Sequence, residues 1–142
     1  MKPAAYAVLN LEGLKHNLDR VRQCAPGSKV MAVIKANAYG HGLLRVANAL
    51  EGVDAFAVAR VDEAVRLRQA GVTGRVAVLE GFTCEEELNS LLDYDLEAVI
   101  HCPLQLDLLE KIDSASRVAV WMKLDSGMNR LGFKAADFDR VY

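Results

Sequence analysis

A lysine, Lys35, directly follows the first strongly apolar segment of the chain, residues 30–34. A run of five apolar residues is typical of a strand covered on both faces, so Lys35 stands where such a strand ends. An ordinary lysine is almost wholly protonated at pH 7, but partial burial at a strand end favours the neutral amine. Because a neutral amine attacks aldehydes, Lys35 is suited to hold a carbonyl cofactor as a Schiff base, and pyridoxal phosphate is the commonest such cofactor.

The segment that follows, residues 36–42, contains further groups that suit a phosphate-bearing cofactor. Tyr39 offers a hydroxyl to a phosphate oxygen, and Gly40 and Gly42 let the backbone approach a ligand closely. An alternative makes the two glycines turn residues before the next helix and Tyr39 a packing residue. The spacing by itself leaves both interpretations open.

Each of four later apolar runs is also followed by an ionisable residue. In parallel α/β folds the carboxyl ends of the strands form the edge where ligands bind. Strands also emerge into solvent at that edge, and we favour this simpler interpretation for Arg60, Glu80 and His101. For Lys123, as for Lys35, the neighbouring residues favour a role in a site.

An alternation of apolar runs with helical patterns predicts the elements that carry these residues. The runs recur about every 22 residues, and the last contains Trp121, which we expect in the core. Strands that alternate with helices at this spacing are βα units, whose right-handed crossovers make the sheet parallel. A further helix ahead of the first strand begins at Asn10 and ends at Pro26-Gly27. The predicted strands are residues 30–34, 55–59, 76–79, 98–100 and 118–122.

The length of the chain bears on how these units close. A closed eight-stranded barrel usually takes about 250 residues, and this chain has 142. It is therefore either a five-stranded open sheet or the first part of a barrel. Because residues 138–142 stop inside a predicted helix without a capping glycine, we predict an α/β fold that is a partial (β/α)8 TIM-type barrel of about five βα units.

The composition fits one globular domain and excludes several functional classes. The chain is 52% hydrophobic and 25% charged with a formal net charge of -2, so neither disorder nor nucleic-acid binding is expected. No apolar run suits a signal peptide or a membrane helix, which predicts a cytoplasmic protein that does not bind membranes. Cys24, Cys84 and Cys102 are scattered, so we expect reduced thiols and no metal site.

Two longer motifs carry a family resemblance. The segment "AVIKANAYGHG", residues 32–42, closely resembles the cofactor-lysine signature of alanine racemases, and "MKLDSGMNRLGF", residues 122–133, resembles a second segment of that family. Alanine racemases are pyridoxal-phosphate enzymes built on a barrel followed by a β-rich domain. The resemblance implies that residues 1–142 are the N-terminal portion of the cofactor-binding barrel, without its later strands and without the β-rich domain.

The resemblance also implies a role for each matching residue. Lys35 would carry the cofactor and act as the base that moves the α-proton on the D-alanine side of the substrate. Tyr39 would help to hold the phosphate, and Arg130 would lie near the phenolic oxygen of the cofactor and the substrate carboxylate. Lys123 matches a position that is carbamylated in some members, where the new carboxylate orients that arginine. Supporting motif residues are Asn37, Met128 and Asn129.

The implied activity of the full-length parent is the pyridoxal-phosphate-dependent interconversion of L-alanine and D-alanine, for cell-wall D-alanine supply or for alanine catabolism, by a homodimer. In the family the second base is a tyrosine from the β-rich domain of the partner subunit. None of the tyrosines of this chain falls in a matching motif, so we expect the 142-residue piece alone to be inactive. These tyrosines are Tyr6, Tyr39, Tyr94 and Tyr142.

Two other functions remain open at this point. A non-catalytic pyridoxal-phosphate-binding or homeostasis barrel protein would need Lys35 but neither Arg130 nor a second base. An α/β binding or scaffolding domain would need no cofactor at all.

Overall fold

The structure is a computed structural model that describes residues 5–113 and 115–137. Its strands are β1 (Met31–Val33), β2 (Ala55–Val58), β3 (Arg75–Val78), β4 (Glu97–Ile100) and β5 (Val120–Met122). Its helices are α1 (Leu11–Cys24), α2 (Lys35–Tyr39), α3 (Leu43–Ala49), α4 (Val61–Gln69), α5 (Glu85–Asp93) and α6 (Pro103–Leu109), and a short 3₁₀ helix spans Ala135–Asp137. The helix predicted over residues 138–142 lies outside the described residues.

The five strands form one parallel sheet in the order β1-β2-β3-β4-β5. Because every right-handed crossover then moves in the same direction, the helices that follow the strands fall on one face of the sheet. The contacts agree, since α3 packs on α4, α4 on α5 and α5 on α6. A doubly wound sheet would instead reverse its strand order and place helices on both faces. The structure therefore confirms the predicted partial barrel.

The face of the sheet that meets the helices forms the core. Phe56 of β2 pairs in register with Val76 of β3, and Val78 of β3 pairs with Ala98 of β4, so these side chains lie on the same face. All four are buried and belong to one hydrophobic cluster. β-Branched and aromatic residues at alternate positions of a strand suit the face of a sheet that packs against helices.

The opposite face of the sheet carries a polar group near its amino-terminal edge. The Glu97 carboxylate accepts hydrogen bonds from Arg75 Nε at 2.5 Å and Nη2 at 3.0 Å, and from Trp121 Nε1 at 2.6 Å. The Arg75 guanidinium lies 5.4 Å from the centroid of the Trp121 ring, within cation–π range. The prediction that Trp121 is a core residue is wrong, because its register with Val99 places it on this face, opposite the helices, where it is 43% exposed.

Competing effects act on the Glu97 carboxyl. Burial pushes the pKa of Glu97 upward, but the hydrogen bonds from Arg75 and Trp121 and the Arg75 charge together outweigh burial and hold the pKa below its ordinary value. The hydrogen bond and the charge of Glu97 in turn raise the pKa of Arg75. The pair is therefore ionised at neutral pH.

Helix α1, Leu11–Cys24, begins and ends close to its predicted position. The Asn10 side chain accepts a hydrogen bond from the Gly13 backbone at 2.9 Å and caps α1, as predicted. No helix among residues 5–113 and 115–137 is both long and apolar enough to cross a membrane.

Candidate active site

Lys35, Lys123 and Arg130 line one open cleft of about 680 Å³ at the carboxyl ends of the strands. That volume lies in the range of small-molecule sites. The three cations face a single acidic side chain of the cleft wall, Glu80, so the cleft attracts anions. The other lining residues are Ala59, Leu79, Thr83, Val99, His101 and Leu131.

Lys35 is half-buried, and its position is fixed by the strand that precedes it. The backbone N–H of Ile34, a residue that is 3% exposed, donates to the Ala57 carbonyl of β2 at 2.8 Å. The main chain is thus anchored in the sheet one residue before the amine. This placement matches the expectation that Lys35 ends the first strand.

The chain then makes a left-handed helical turn, which the sequence did not predict. Ala36, Asn37, Ala38 and Tyr39 have φ values between 52° and 54°, and Gly40 continues at 83°. A left-handed conformation costs an L-residue other than glycine about 1–2 kcal/mol, and consecutive examples are rare. Strain of this kind persists only where surrounding contacts over-determine it, and such places cluster at functional sites.

Three hydrogen bonds from side chains hold this turn. The Asn37 backbone N–H donates to Glu63 Oε1 at 2.9 Å, and Asn37 Oδ1 accepts from the Leu43 N–H at 2.9 Å. His41 Nδ1 lies 2.9 Å from the Ala38 carbonyl oxygen. Asn37 therefore links the turn to the start of α3, and Glu63 links the turn to α4.

Glu63 belongs to a set of three residues, the N3 residues, which are the third residues of α4, α5 and α6. Each accepts a hydrogen bond from the backbone N–H four positions earlier, in the loop that leaves the preceding strand. This contact is a variant of the capping box, in which a Glu or Gln at the third helical position reaches back to the start of the helix. The pairs are Ala59 with Glu63 at 3.1 Å, Thr83 with Glu87 at 2.7 Å and His101 with Gln105 at 2.8 Å.

Each N3 residue also reaches the loop of the preceding βα unit. Glu63 Oε1 binds the turn after β1, and Glu87 Oε1 lies 3.9 Å from Arg60 Nη2 in the loop after β2. Buried Gln105 donates from Nε2 to the carbonyls of Glu80 and Phe82 in the loop after β3, at 3.0 and 3.2 Å. The N3 residues therefore fasten successive loops around the edge where the cleft lies.

The loop that carries Arg130 is shaped by a second set of contacts. Asp125 Oδ1 accepts hydrogen bonds from the backbone N–H groups of Asn129 at 2.9 Å and Gly127 at 3.1 Å. These bonds lower the pKa of Asp125. The loop closes where the Phe133 N–H donates to the Lys123 carbonyl at 2.9 Å. Lys123 thus stands at one end of a compact loop that contains Arg130 and closes at Phe133.

His101 is a cleft residue whose ring is only partly satisfied. Its Nε2 lies 3.0 Å from the Glu80 carbonyl oxygen, an arrangement that suits an N–H donor at that position. Its Nδ1 is buried and has no hydrogen-bond partner within the described part of the chain. The sequence favours a solvent-facing interpretation for His101 and Glu80; both line the cleft, where Glu80 is exposed and His101 is half-buried.

The remaining predicted residues lie elsewhere. Tyr39 is 59% exposed and lines a separate apolar pocket with Leu14 and Val46, at the β1 edge of the sheet. Arg60 is exposed and lies 3.4 Å from Asp62, outside the cleft, as its solvent-facing interpretation implied. Sequence analysis missed Glu63, although an acidic residue at the third helical position is a recognisable signal.

Comparisons with known proteins agree with this fold and with the two motifs. Residues 9–142 match the family model described as "Alanine racemase, N-terminal domain". The chain is 51% identical to the alanine racemase of Shewanella piezotolerans over 142 residues, which is all of this chain and 40% of that protein. It therefore spans about 40% of the length of the curated relatives it matches.

Solved structures show the same relationship. The alanine racemase of Acinetobacter baumannii has a TM-score of 0.88 and 40% identity, covering 94% of this chain and 40% of that one. The biosynthetic alanine racemase of Pseudomonas aeruginosa has a TM-score of 0.85 and 38% identity, covering 92% of this chain and 37% of that one. The chain belongs to the alanine racemase N-terminal domain family.

Proposed function

We propose that the intact protein is a pyridoxal-phosphate-dependent alanine racemase that interconverts L-alanine and D-alanine, and that residues 1–142 are the N-terminal portion of its cofactor-binding barrel. The observation that carries this proposal is the shared cleft of Lys35, Lys123 and Arg130. Two sequence motifs about 90 residues apart supply these groups, and the fold brings them to one edge of the sheet.

The residues of the cleft fit the cofactor chemically. Lys35 provides an amine for an aldehyde, two further cations suit anionic groups, and the apolar side chains of Leu79 and Val99 suit the face of a ring. Pyridoxal phosphate supplies, when bound, a conjugated electron sink that makes the α-proton of an amino acid removable.

Four side chains of this chain have proposed roles in binding and proton transfer. Lys35 would hold the cofactor and would take and return the α-proton on the D-alanine side of the substrate. Arg130 binds the substrate carboxylate, because a planar guanidinium matches a carboxylate with two parallel hydrogen bonds. Lys123 lies beside it as a positive charge, or as a carbamate that orients the guanidinium. Tyr39 lines a separate pocket in this structure, so its exposed ring would have to turn toward the cleft to give its hydroxyl to the phosphate.

Racemisation requires a proton-transfer group on each face of the α-carbon. Lys35 serves one face, and the cleft residues of the described part of the chain include no tyrosine for the other. We therefore propose that the intact protein is a homodimer in which the partner subunit supplies the second base. The free cysteines Cys24, Cys84 and Cys102 suit a reducing compartment, which favours the cytoplasm.

The test is to map where the cofactor binds covalently. The intact protein is incubated with pyridoxal phosphate, reduced with borohydride and digested, and the label is located by mass spectrometry. We expect the label on Lys35 and its loss in K35R. The control variant K29R changes an exposed lysine at the other end of β1 and should keep the label. A label that is spread evenly over surface lysines would contradict the proposal.

A second measurement separates a racemase from a non-catalytic cofactor-binding protein. In deuterated water a racemase exchanges the α-hydrogen of alanine, and we expect the intact protein to do so and R130A to lose most of this exchange. If the intact protein is labelled on Lys35 but exchanges no α-hydrogen, the binding-protein alternative is correct.

A further inference from the structure

We infer that Glu63 is a positioning residue that sets the reactivity of Lys35 by fastening the left-handed turn after it, an inference that rests on the proposed function of Lys35. Glu63 is 8% exposed and lies on α4, in the βα unit after the one that carries Lys35. It is not among the residues that line the cleft. We therefore infer that it acts on the amine through the backbone groups that it binds, the N–H groups of Asn37 and Ala59.

The path from Glu63 to Lys35 is short. One carboxylate oxygen accepts from the Asn37 N–H, two residues after Lys35, and the other accepts from the Ala59 N–H at the end of β2. The carboxylate thus clamps the turn to the neighbouring strand end. Both hydrogen bonds are partly buried, so removing the carboxylate leaves two N–H groups with less access to a replacement acceptor than groups in open solvent have.

The clamp is one of several contacts that hold a strained backbone, together with the hydrogen bonds within the turn and the bond from the Leu43 N–H to Asn37. Left-handed conformations at Ala36, Ala38 and Tyr39 are unfavourable for residues with a Cβ atom, so the turn is occupied only while surrounding contacts hold it. When the clamp weakens, right-handed or extended conformations compete, and each would redirect the chain immediately after Lys35. The amine would then spend less time in the cleft.

A simpler explanation is that Glu63 only caps α4, and Glu87 provides the matched comparison. Glu87 occupies the same third position of α5 and accepts from both the backbone N–H and the hydroxyl of Thr83, at 2.7 and 2.9 Å. It does not touch the turn after Lys35. If capping is the whole role, E63Q and E87Q should behave alike.

The experiment compares E63Q, E63A and E87Q in the intact protein. Labelling by pyridoxal phosphate and borohydride is followed at Lys35 relative to Lys29, well below the unfolding temperature. We expect labelling of Lys35 to be about tenfold slower in E63Q, equivalent to about 1.4 kcal/mol, slower again in E63A and unchanged in E87Q. Backbone amide exchange should become faster at Asn37 in E63Q and at Thr83 in E87Q.

A glycine rescue tests the backbone route directly. Ala36 is exposed, so A36G removes little packing and permits the left-handed conformation at no steric cost. In the E63Q background, A36G should recover part of the Lys35 labelling. A variant that merely destabilises the fold would not be rescued in this way.

The outcomes separate the two proposals. Absence of label on Lys35 in the unmodified protein refutes the proposed function, whereas wild-type labelling of Lys35 in E63Q refutes the role of Glu63 alone. Acetylation by acetic anhydride needs no cofactor site. The ratio of acetylation at Lys35 to acetylation at Lys29 therefore measures the reactivity of Lys35 in every variant independently of cofactor binding. Equal acetylation ratios and equal Asn37 exchange in E63Q and the unmodified protein would overturn the inference, even if E63Q is less stable.

Discussion

Arg130 differs from the two lysines of the cleft in the geometry of its charge. A guanidinium presents donors in a fixed plane and binds a carboxylate through two bonds, whereas an ammonium acts as a point charge. Lys35 and Lys123 would therefore attract an anion without orienting it. We therefore propose that the orientation of the substrate, and so which of its faces meets Lys35, depends on Arg130.

Replacing Arg130 by lysine should keep the charge and remove the orientation. We expect R130K to raise the KM for alanine by about tenfold, the equivalent of one good hydrogen bond, with a smaller effect on covalent cofactor binding. Steady-state racemase kinetics of the intact protein measure this change. R45K, on the exposed surface of α3, is the control, and equal KM values for R130K and the unmodified enzyme would exclude a substrate contact.

Glu97 is a second residue whose charge has a measurable consequence. Its pKa lies below the ordinary value of 4.5, so the folded protein binds this proton less readily than the unfolded chain does. The ionised Glu97 carboxylate therefore stabilises the folded protein fully above about pH 4.5. This stabilisation is lost as the pH falls through the pKa that Glu97 has in the folded protein. Protonation also weakens the hydrogen bond from Trp121, the one tryptophan of the chain.

The prediction concerns the difference in unfolding free energy between the unmodified protein and E97Q. At pH 7 we expect E97Q to be less stable by about 2 kcal/mol, because an amide is a weaker partner for Arg75. On acidification below pH 4.5 the difference should shrink. Denaturant unfolding monitored by Trp121 fluorescence measures this difference in unfolding free energy. The control is E110Q, at the exposed end of α6, whose difference from the unmodified protein should not change with pH.

At the scale of elements, the loop from Lys123 to Phe133, which carries Arg130, depends on a close backbone approach at Gly132. A Cβ atom there would lie 2.8 Å from the Asp125 nitrogen and 3.0 Å from the Lys123 carbonyl oxygen, and the φ of Gly132 is 122°. Gly127 has a similar φ of 129° but open space around its Cβ position. The two glycines thus separate backbone strain from steric contact.

Alanine at these two positions should therefore have different effects. Both G127A and G132A should lose about 1–3 kcal/mol from the unfavourable φ, and G132A should lose more because the Lys123–Asp125 backbone must shift. We also expect G132A, and not G127A, to weaken binding of alanine, since that shift moves both ends of the loop. Thermal unfolding and KM measurements check the pair. Equal effects in both assays would show that the close approach has no functional role.

At the scale of the whole molecule, the proposed racemase site lies only partly in this chain. Lys35 is the proposed base for one face of the substrate, and we propose that another part of the assembly supplies the group for the other face. Within the described residues, β1 and β5 are the edge strands of the sheet. Trp121 and Val33 are exposed on the face of the sheet opposite the helices. Both features suit the first five units of a larger barrel.

A polypeptide limited to residues 1–142 should therefore show partial function. We expect it to be labelled at Lys35 by pyridoxal phosphate and borohydride, and to catalyse no α-hydrogen exchange of alanine, while the intact protein does both. Proton NMR in deuterated water follows the exchange. Racemisation by the short polypeptide would contradict the assignment of the second base to another part of the protein.

The positions of the elements were predictable because they depend on local patterns. The strand predicted at residues 55–59 is observed at Ala55–Val58, and the apolar run at residues 98–100 lies within Glu97–Ile100. Buried strands need apolar residues, and helices need a periodic apolar face, whichever neighbours they meet. The motifs around Lys35 and Arg130 could likewise be identified from the sequence, and in the structure these two residues line the same cleft.

The conformation between these elements depended on residues distant in sequence. No glycine or turn signal marks Ala36, Asn37 and Ala38 as left-handed, since the acceptor that holds Asn37 is Glu63, 26 positions away. The sequence around Trp121 indicates only that it lies in a strand. The register of Trp121 with Val99 in the structure shows which face of the sheet it occupies. The sequence by itself determined the elements and the chemistry of the motifs, because both are local. Only the tertiary structure decided the shape of the turn and the contents of the cleft, because both arise from contacts between separate βα units.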